Sequence, residues 1–130
     1  MGFLTKVFGG RKRVEPHGLW SDDAEQLAAL AARGGVPEAP RESEFFLSFT
    51  SDVRAKAAAD ELRSARVTHE LVEPSHDIPE WMIFVRRYNA PLVPDVLRDT
   101  VDLCEDIAAR HGGDYEGWAG LLTREEKDAT

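Results

Sequence analysis

The sequence holds one cysteine, Cys104, and so cannot close an internal disulfide. A folded state must rest on packing, and 130 residues suffice for one ordinary core. A lone thiol and no secretory leader fit a reducing cytoplasm, the expected compartment. No apolar run approaches the roughly 20 residues of a membrane-spanning helix. Histidines are scarce. His17, His69, His76 and His111 show no pair at the spacing of a zinc site, so no metal is expected. The pairs Gly9-Gly10, Gly34-Gly35 and Gly112-Gly113 lack the strand–loop–helix setting of a phosphate loop. No cofactor is expected. Lysine is few beside alanine, arginine and acid, a composition that suits a GC-rich bacterial genome.

Positive charge is also scarce, and unevenly placed. The net charge is −8 and the pI near 5.0. Residues 1–20 carry Lys6, Arg11, Lys12 and Arg13 against Glu15, a formal +3, which leaves −11 on the other 110 residues. An acidic body disfavours non-specific nucleic-acid binding and favours basic partners. The division expected is a basic, flexible tail over 1–20, one domain over 21–119, and a charged, frayed tail over 120–130. Phe3, Leu4, Val7 and Phe8 make a short apolar pattern beside the basic residues. Weak association of residues 1–13 with an anionic membrane surface is one reading of it.

Periodicity then orders the chain. Ser21 is a candidate helix cap before the stripe Ala24, Leu27, Ala28, Leu30 and Ala31, and Gly34 ends that helix. Glu44 to Thr50 alternates as a strand, with Phe45, Leu47 and Phe49 on one face. Ser51 or Thr50 starts a second helix, with Ala55, Ala58, Ala59, Leu62 and Ala65 along one side. Val67 to Glu73 and Trp81 to Arg87 alternate again and read as an antiparallel hairpin. Pro94 opens the last long helix, whose stripe runs through Val101, Cys104 and Ile107 to about His111.

After the first helix the order is β-α-β-β-α with a possible short last strand. This is the ferredoxin-like split βαβ, an α+β fold with an extra N-terminal helix. Right-handed crossover places the third strand between the first two, with both helices on one face. The other face then presents Phe46, Met82, Phe84 and Val72 with Ser48, Thr68, Glu70 and Arg86. That surface is too apolar to stay bare. The first helix, the stretch around Tyr115 and Trp118, or another protein is expected to cover it. Phe46, Met82, Phe84 and Arg86 are therefore candidate interaction residues. Phe46 and Phe84 would also sit where an RNA-recognition sheet stacks bases, but cations to track phosphates are few. RNA binding ranks third, behind a protein-binding regulator and a protein-interaction or homo-oligomeric module of unknown partner, associated with a membrane through the N-terminal basic segment in one form of that reading. An enzyme has no residue constellation behind it. Cys104 lies among Asp102, Glu105 and Asp106 within a buried stripe, the wrong setting for a nucleophile.

One stretch is explained by no helix or strand pattern: Gly113, Asp114, Tyr115, Glu116, Gly117 and Trp118. It carries two aromatics and two carboxylates within six residues. The chain here resembles the RraB family, regulators or inhibitors of bacterial ribonuclease E, whose signature is Gly-x-Tyr-Asp-Gly-Trp. Two further features share the resemblance. One is the helix to Gly34-Gly35 followed by Pro40-Arg41 and the strand Phe45-Phe46-Leu47-Ser48-Phe49. The other is the alanine-rich helix with Ala55, Ala58 and Leu62. The likeness spans about residues 21–119. It departs at Glu116, one methylene longer than the family's Asp. It implies a ferredoxin-like domain that is not an enzyme, whose partner is a ribonuclease or its basic scaffold region, and that modulates RNA turnover. The motif reads as mainly structural, its polar tips available to a partner. The residues leave open which partner is bound, which face binds it, and the oligomeric state.

Overall fold

The structure is a computed structural model that describes residues 11–129. Its elements, in order, are β1 Arg13–Val14, β2 Leu19–Trp20, α1 Ser21–Ala32, β3 Arg41–Phe49, α2 Asp52–Ser64, β4 His69–Val72, β5 Trp81–Ala90, α3 Pro94–Arg110, β6 Asp114–Gly120 and α4 Arg124–Ala129. The main sheet has the order β4-β5-β3-β6. The expected arrangement is present: the third strand of the repeat, β5, lies between β3 and β4, and β6 adds beyond β3. The fold is α+β and ferredoxin-like. β4 and β5 are antiparallel in the register His69↔Val85, Glu70↔Phe84, Leu71↔Ile83 and Val72↔Met82.

The chain groups into two compact units. The first comprises residues 44–87 and 101–119 and holds most of the sheet, α2 and the later part of α3. Strand alternation decides its core. Phe45, Leu47, Phe49, Ile83 and Val85 are buried on one face, with Ala55, Ala58, Ala59 and Leu62 of α2 and Val101, Cys104 and Ile107 of α3. Each large side chain so buried contributes about 1.5–3 kcal/mol. The alanines let α2 lie close. Ser51 caps α2, its hydroxyl accepting from Arg54 N–H. Trp81, at the start of β5, is half-buried, with the Lys56 ammonium 5.5 Å from its ring centre.

β6 enters this unit through two glycines with different tasks. Any side chain at Gly113 would meet the Phe49 ring at 2.4 Å and the Ser48 carbonyl at 2.5 Å. Only glycine fits there. Gly117 has φ 129°, a conformation L-residues avoid. Its task follows from its neighbours. Tyr115 and Trp118 are both buried, and Trp118 stacks on Phe45 with ring centres 6.5 Å apart. Strict alternation would send residues three apart to opposite faces. The irregular backbone at Gly117 turns Trp118 back to the Phe45 side. Of the three covers weighed for the other face of the sheet, the side chains of Tyr115 and Trp118 are thereby excluded, because both pack toward the core.

The second unit comprises residues 11–43, 88–100 and 120–129. Both expected tails contain structure here. Residues 11–20 form the β1–β2 hairpin, against which α1 packs, burying Leu19, Leu27 and Leu30. Arg11 and Arg13 both lie over the Trp20 ring, at 4.2 and 3.8 Å from its centre. Arg11 also pairs with Asp22 and Asp23 at 3.5 and 3.9 Å. Two of the cations expected to face a membrane are thus engaged locally. Ser21 is the first helical residue rather than the cap, because its N–H bonds Lys12 C=O across the hairpin. The apolar pattern Phe3 to Phe8 lies outside the described residues.

The C-terminal end is held by charge. Arg41, its side chain fully buried, donates to both oxygens of Glu126 at 2.7 and 2.8 Å and to Leu121 C=O at 3.0 Å. It also donates to Val36 C=O. Glu126 accepts in turn from Val36 N–H at 2.7 Å. Thr123 and Glu126 exchange bonds as a capping box: Thr123 N–H donates to the carboxylate, and Glu126 N–H to the Thr123 hydroxyl. The Arg41 guanidinium, opposed in part by burial and helped by these two N–H groups, holds the Glu126 carboxyl down to about 2 from its ordinary 4.5.

Two predictions follow from this packing. Trp118→Ala should cost about 3–5 kcal/mol in denaturant unfolding. Glu126 ionises more readily folded than unfolded, so its stabilisation is complete above about pH 4.5 and is lost as the pH falls toward about 2. Glu126→Ala leaves Arg41 buried and uncompensated, at a cost of about 3–5 kcal/mol near neutrality. Thermal melts across pH 2–7 should show the variant without the acid-limb loss that Glu126 gives the parent.

Candidate functional site

The sheet face opposite the core is built by the even residues of β3: Glu44, Phe46 and Ser48. Phe46 is half-buried and meets Phe84 of β5 edge to face, with ring centres 5.6 Å apart. Val72 and Met82 face each other at the far end of the β4–β5 pair, also half-buried. Such rings and a methionine side by side make an apolar strip down the middle of the face.

Charge borders that strip. Arg86 of β5 donates to Glu44 of β3 at 2.8 Å and to Glu70 of β4 at 2.6 Å. Its guanidinium carbon is 5.6 Å from the Phe84 ring centre. The two carboxylates hold Arg86 more firmly protonated than a free guanidinium. On the other side of Phe46, Glu116 of β6 accepts from the Ser48 hydroxyl at 2.6 Å. Asp114, two residues back on the same face, has its carboxyl pushed up by burial and then by the charge of Glu116. Four carboxylates therefore border the strip, and Arg86 is already shared by two of them.

Of the residues the sequence pointed to, Phe46, Met82, Phe84 and Arg86 share this face. Asp114 and Glu116 of the motif join them, whereas Tyr115 and Trp118 are in the core and Gly113 and Gly117 serve the backbone. Glu44 was missed as a partner of Arg86. Its even position in β3, level in parity with Phe46, was the available signal.

Elsewhere the chemistry is quiet. Cys104 is buried, which together with Glu105 pushes its thiol up to about 12. It is inert at neutral pH. His69 Nδ1 lies 2.8 Å from Val67 C=O, a satisfied strand residue. His17 Nδ1 lies 3.2 Å from Asp95. His111 and Arg110 both bond Glu61, and these two, in that order, hold its carboxyl below the ordinary range. Among the described residues no group of His, Cys, Asp or Glu could hold a metal ion. Among them, too, no helix is long and apolar enough to cross a membrane.

The ferredoxin-like α+β sheet thus buries Phe45, Leu47 and Phe49 on one face and carries an aromatic surface bordered by acids on the other. The chain belongs to the RraB family, described as regulator of ribonuclease activity B, which it matches over residues 20–119. No curated protein matches it.

Burial, and then the charge of Glu116, make Asp114 harder to ionise folded than unfolded, so its ionisation weakens the fold as the pH rises above the unfolded value of 3.8. Asp114→Asn should raise the melting temperature at pH 7 and leave it unchanged near pH 3. Differential scanning calorimetry at the two pH values measures this.

Proposed function

We propose that the protein is a non-catalytic, cytoplasmic regulator that binds a ribonuclease of the ribonuclease E kind and slows RNA turnover. The family description supports regulation of a ribonuclease. The observation that carries the mode of action is the open face, where Glu44, Glu70, Asp114 and Glu116 border Phe46 and Phe84 with Arg86 already engaged. A surface of this kind repels phosphate and attracts cationic protein. Ribonuclease segments that hold RNA are necessarily basic, so an acidic domain can take the place of RNA on them. The same charge opposes the alternatives. RNA would meet carboxylates on either side of the aromatic strip, and a second copy would bring like charge onto like.

Phe46 and Phe84 are half-buried, so truncating them should spare the fold better than truncating Phe45. The variant Phe46→Ala/Phe84→Ala should lose at least tenfold in affinity for the purified ribonuclease at physiological salt. Inhibition of RNA cleavage should fall in step. Unchanged affinity, or no binding by the parent chain, would rule the reading out.

A further inference from the structure

The open face already holds one guanidinium, and that internal case shows what else it can hold. Arg86 lies over the Phe84 ring and bridges carboxylates from the two strands flanking its own, Glu44 and Glu70. Stacking on an aromatic ring combined with charge-assisted hydrogen bonds suits arginine better than lysine. The planar fork meets two acceptors at once, and its weak hydration lowers the cost of contact with a ring.

Half of that arrangement recurs across Phe46, without its cation. Phe46 meets Phe84 on one flank. On the other flank runs β6, where Glu116 is drawn to Ser48 and Trp118 is turned into the core. Ser48 follows Phe46 by two residues on the same face, about 6–7 Å along the strand. The Glu116 carboxylate is thus within a guanidinium's reach of the Phe46 ring. Asp114 stands next to it with like charge, and among the described residues no ion pair within 4.0 Å is seen for either carboxylate. Two carboxylates on the same face as a half-buried ring lack the cation that Arg86 supplies on the other side.

We propose that Phe46, Asp114 and Glu116 form a seat for an arginine side chain of the protein partner, stacked on Phe46 and bonded by the two carboxylates. This rests on the reading that a basic protein segment docks on the open face, and it adds which cation is chosen and where. A face that selects arginine would discriminate among basic segments that equal net charge leaves indistinguishable.

The test uses the full chain and two capped peptides, hexa-arginine and hexa-lysine, titrated at 150 mM salt. The parent protein should bind hexa-arginine at least fivefold more tightly. Glu116→Gln/Asp114→Asn, which keeps the shapes, and Phe46→Leu, which keeps an apolar side chain, should each bring the ratio near one. Glu25→Gln, an exposed acid on α1, should leave the ratio unchanged. Equal affinity for the two peptides in the parent overturns the seat. So does a preference that survives both sets of face variants. A single-stranded RNA oligonucleotide that binds the parent and is lost in Phe46→Leu, or a concentration-dependent dimer lost in that variant, would assign the face to another occupant and overturn it as well. The ribonuclease reading is judged separately. An intact arginine preference without ribonuclease binding defeats only that reading, and ribonuclease binding that is lost in Phe46→Ala/Phe84→Ala but indifferent to Asp114 and Glu116 defeats only the seat.

Discussion

Alternation along a strand sends residues three apart to opposite faces, so Tyr115 and Trp118 can share the core only if the backbone breaks step between them. Gly117 is where it does, at a φ of 129° that glycine adopts without cost. Much of the sheet depends on that one irregularity. Because Trp118 turns inward onto Phe45, the core gains a large ring and β6 is locked beside β3. Because Glu116 remains in step, it stays on the other face and reaches Ser48. One glycine thus separates a structural aromatic from a surface carboxylate that lie two positions apart.

The second unit solves a different problem. Its C-terminal segment has few apolar residues, and α4 is too short to be stable alone. A buried ion pair is a poor source of net stability, since desolvation offsets most of the attraction. Its use here is positional. Arg41 and Glu126 bond each other and the backbone at Val36, Leu121 and Thr123, so two distant stretches of chain, 36–41 and 121–126, are fixed to one arrangement. Specific placement, rather than burial of apolar surface, is what this contact provides.

These two cases also explain what was legible in the sequence. Strands and helices were, because Phe45, Leu47 and Phe49, or Ala55, Ala58 and Leu62, repeat at the period of the element that buries them. The strand order was, because split βαβ connections leave one right-handed solution. The candidate face followed from parity alone, which is why Phe46, Met82, Phe84 and Arg86 were found together. The place of Trp118 was not legible, since no period describes a stretch whose backbone breaks step at Gly117, and its stretch stood only as one of three covers for the other face. The end of the chain was misread because charge pairs carry no period. Glu126 and Arg41 are 85 positions apart, and only the Thr123-to-Glu126 capping pattern hinted that a helix started there. The Arg11, Arg13 and Trp20 cluster was hidden in the same way.

Charge and aromatic surface together narrow what the open face can meet, in a way neither does alone. Phe46 and Phe84 by themselves would suit a nucleobase, an apolar side chain or a cation. Carboxylates by themselves would suit any basic group, and exposed ones attract at a distance with little selectivity. Combined, they penalise a nucleotide through its phosphate and a lysine through the hydration its ammonium must shed at the ring. Arg86 shows the combination satisfied within the chain, by the cation whose plane fits the rings and whose fork fits the acids. On the other side of Phe46, Glu116 stays on the face while Trp118 turns inward, so β6 contributes an acid there rather than a second ring.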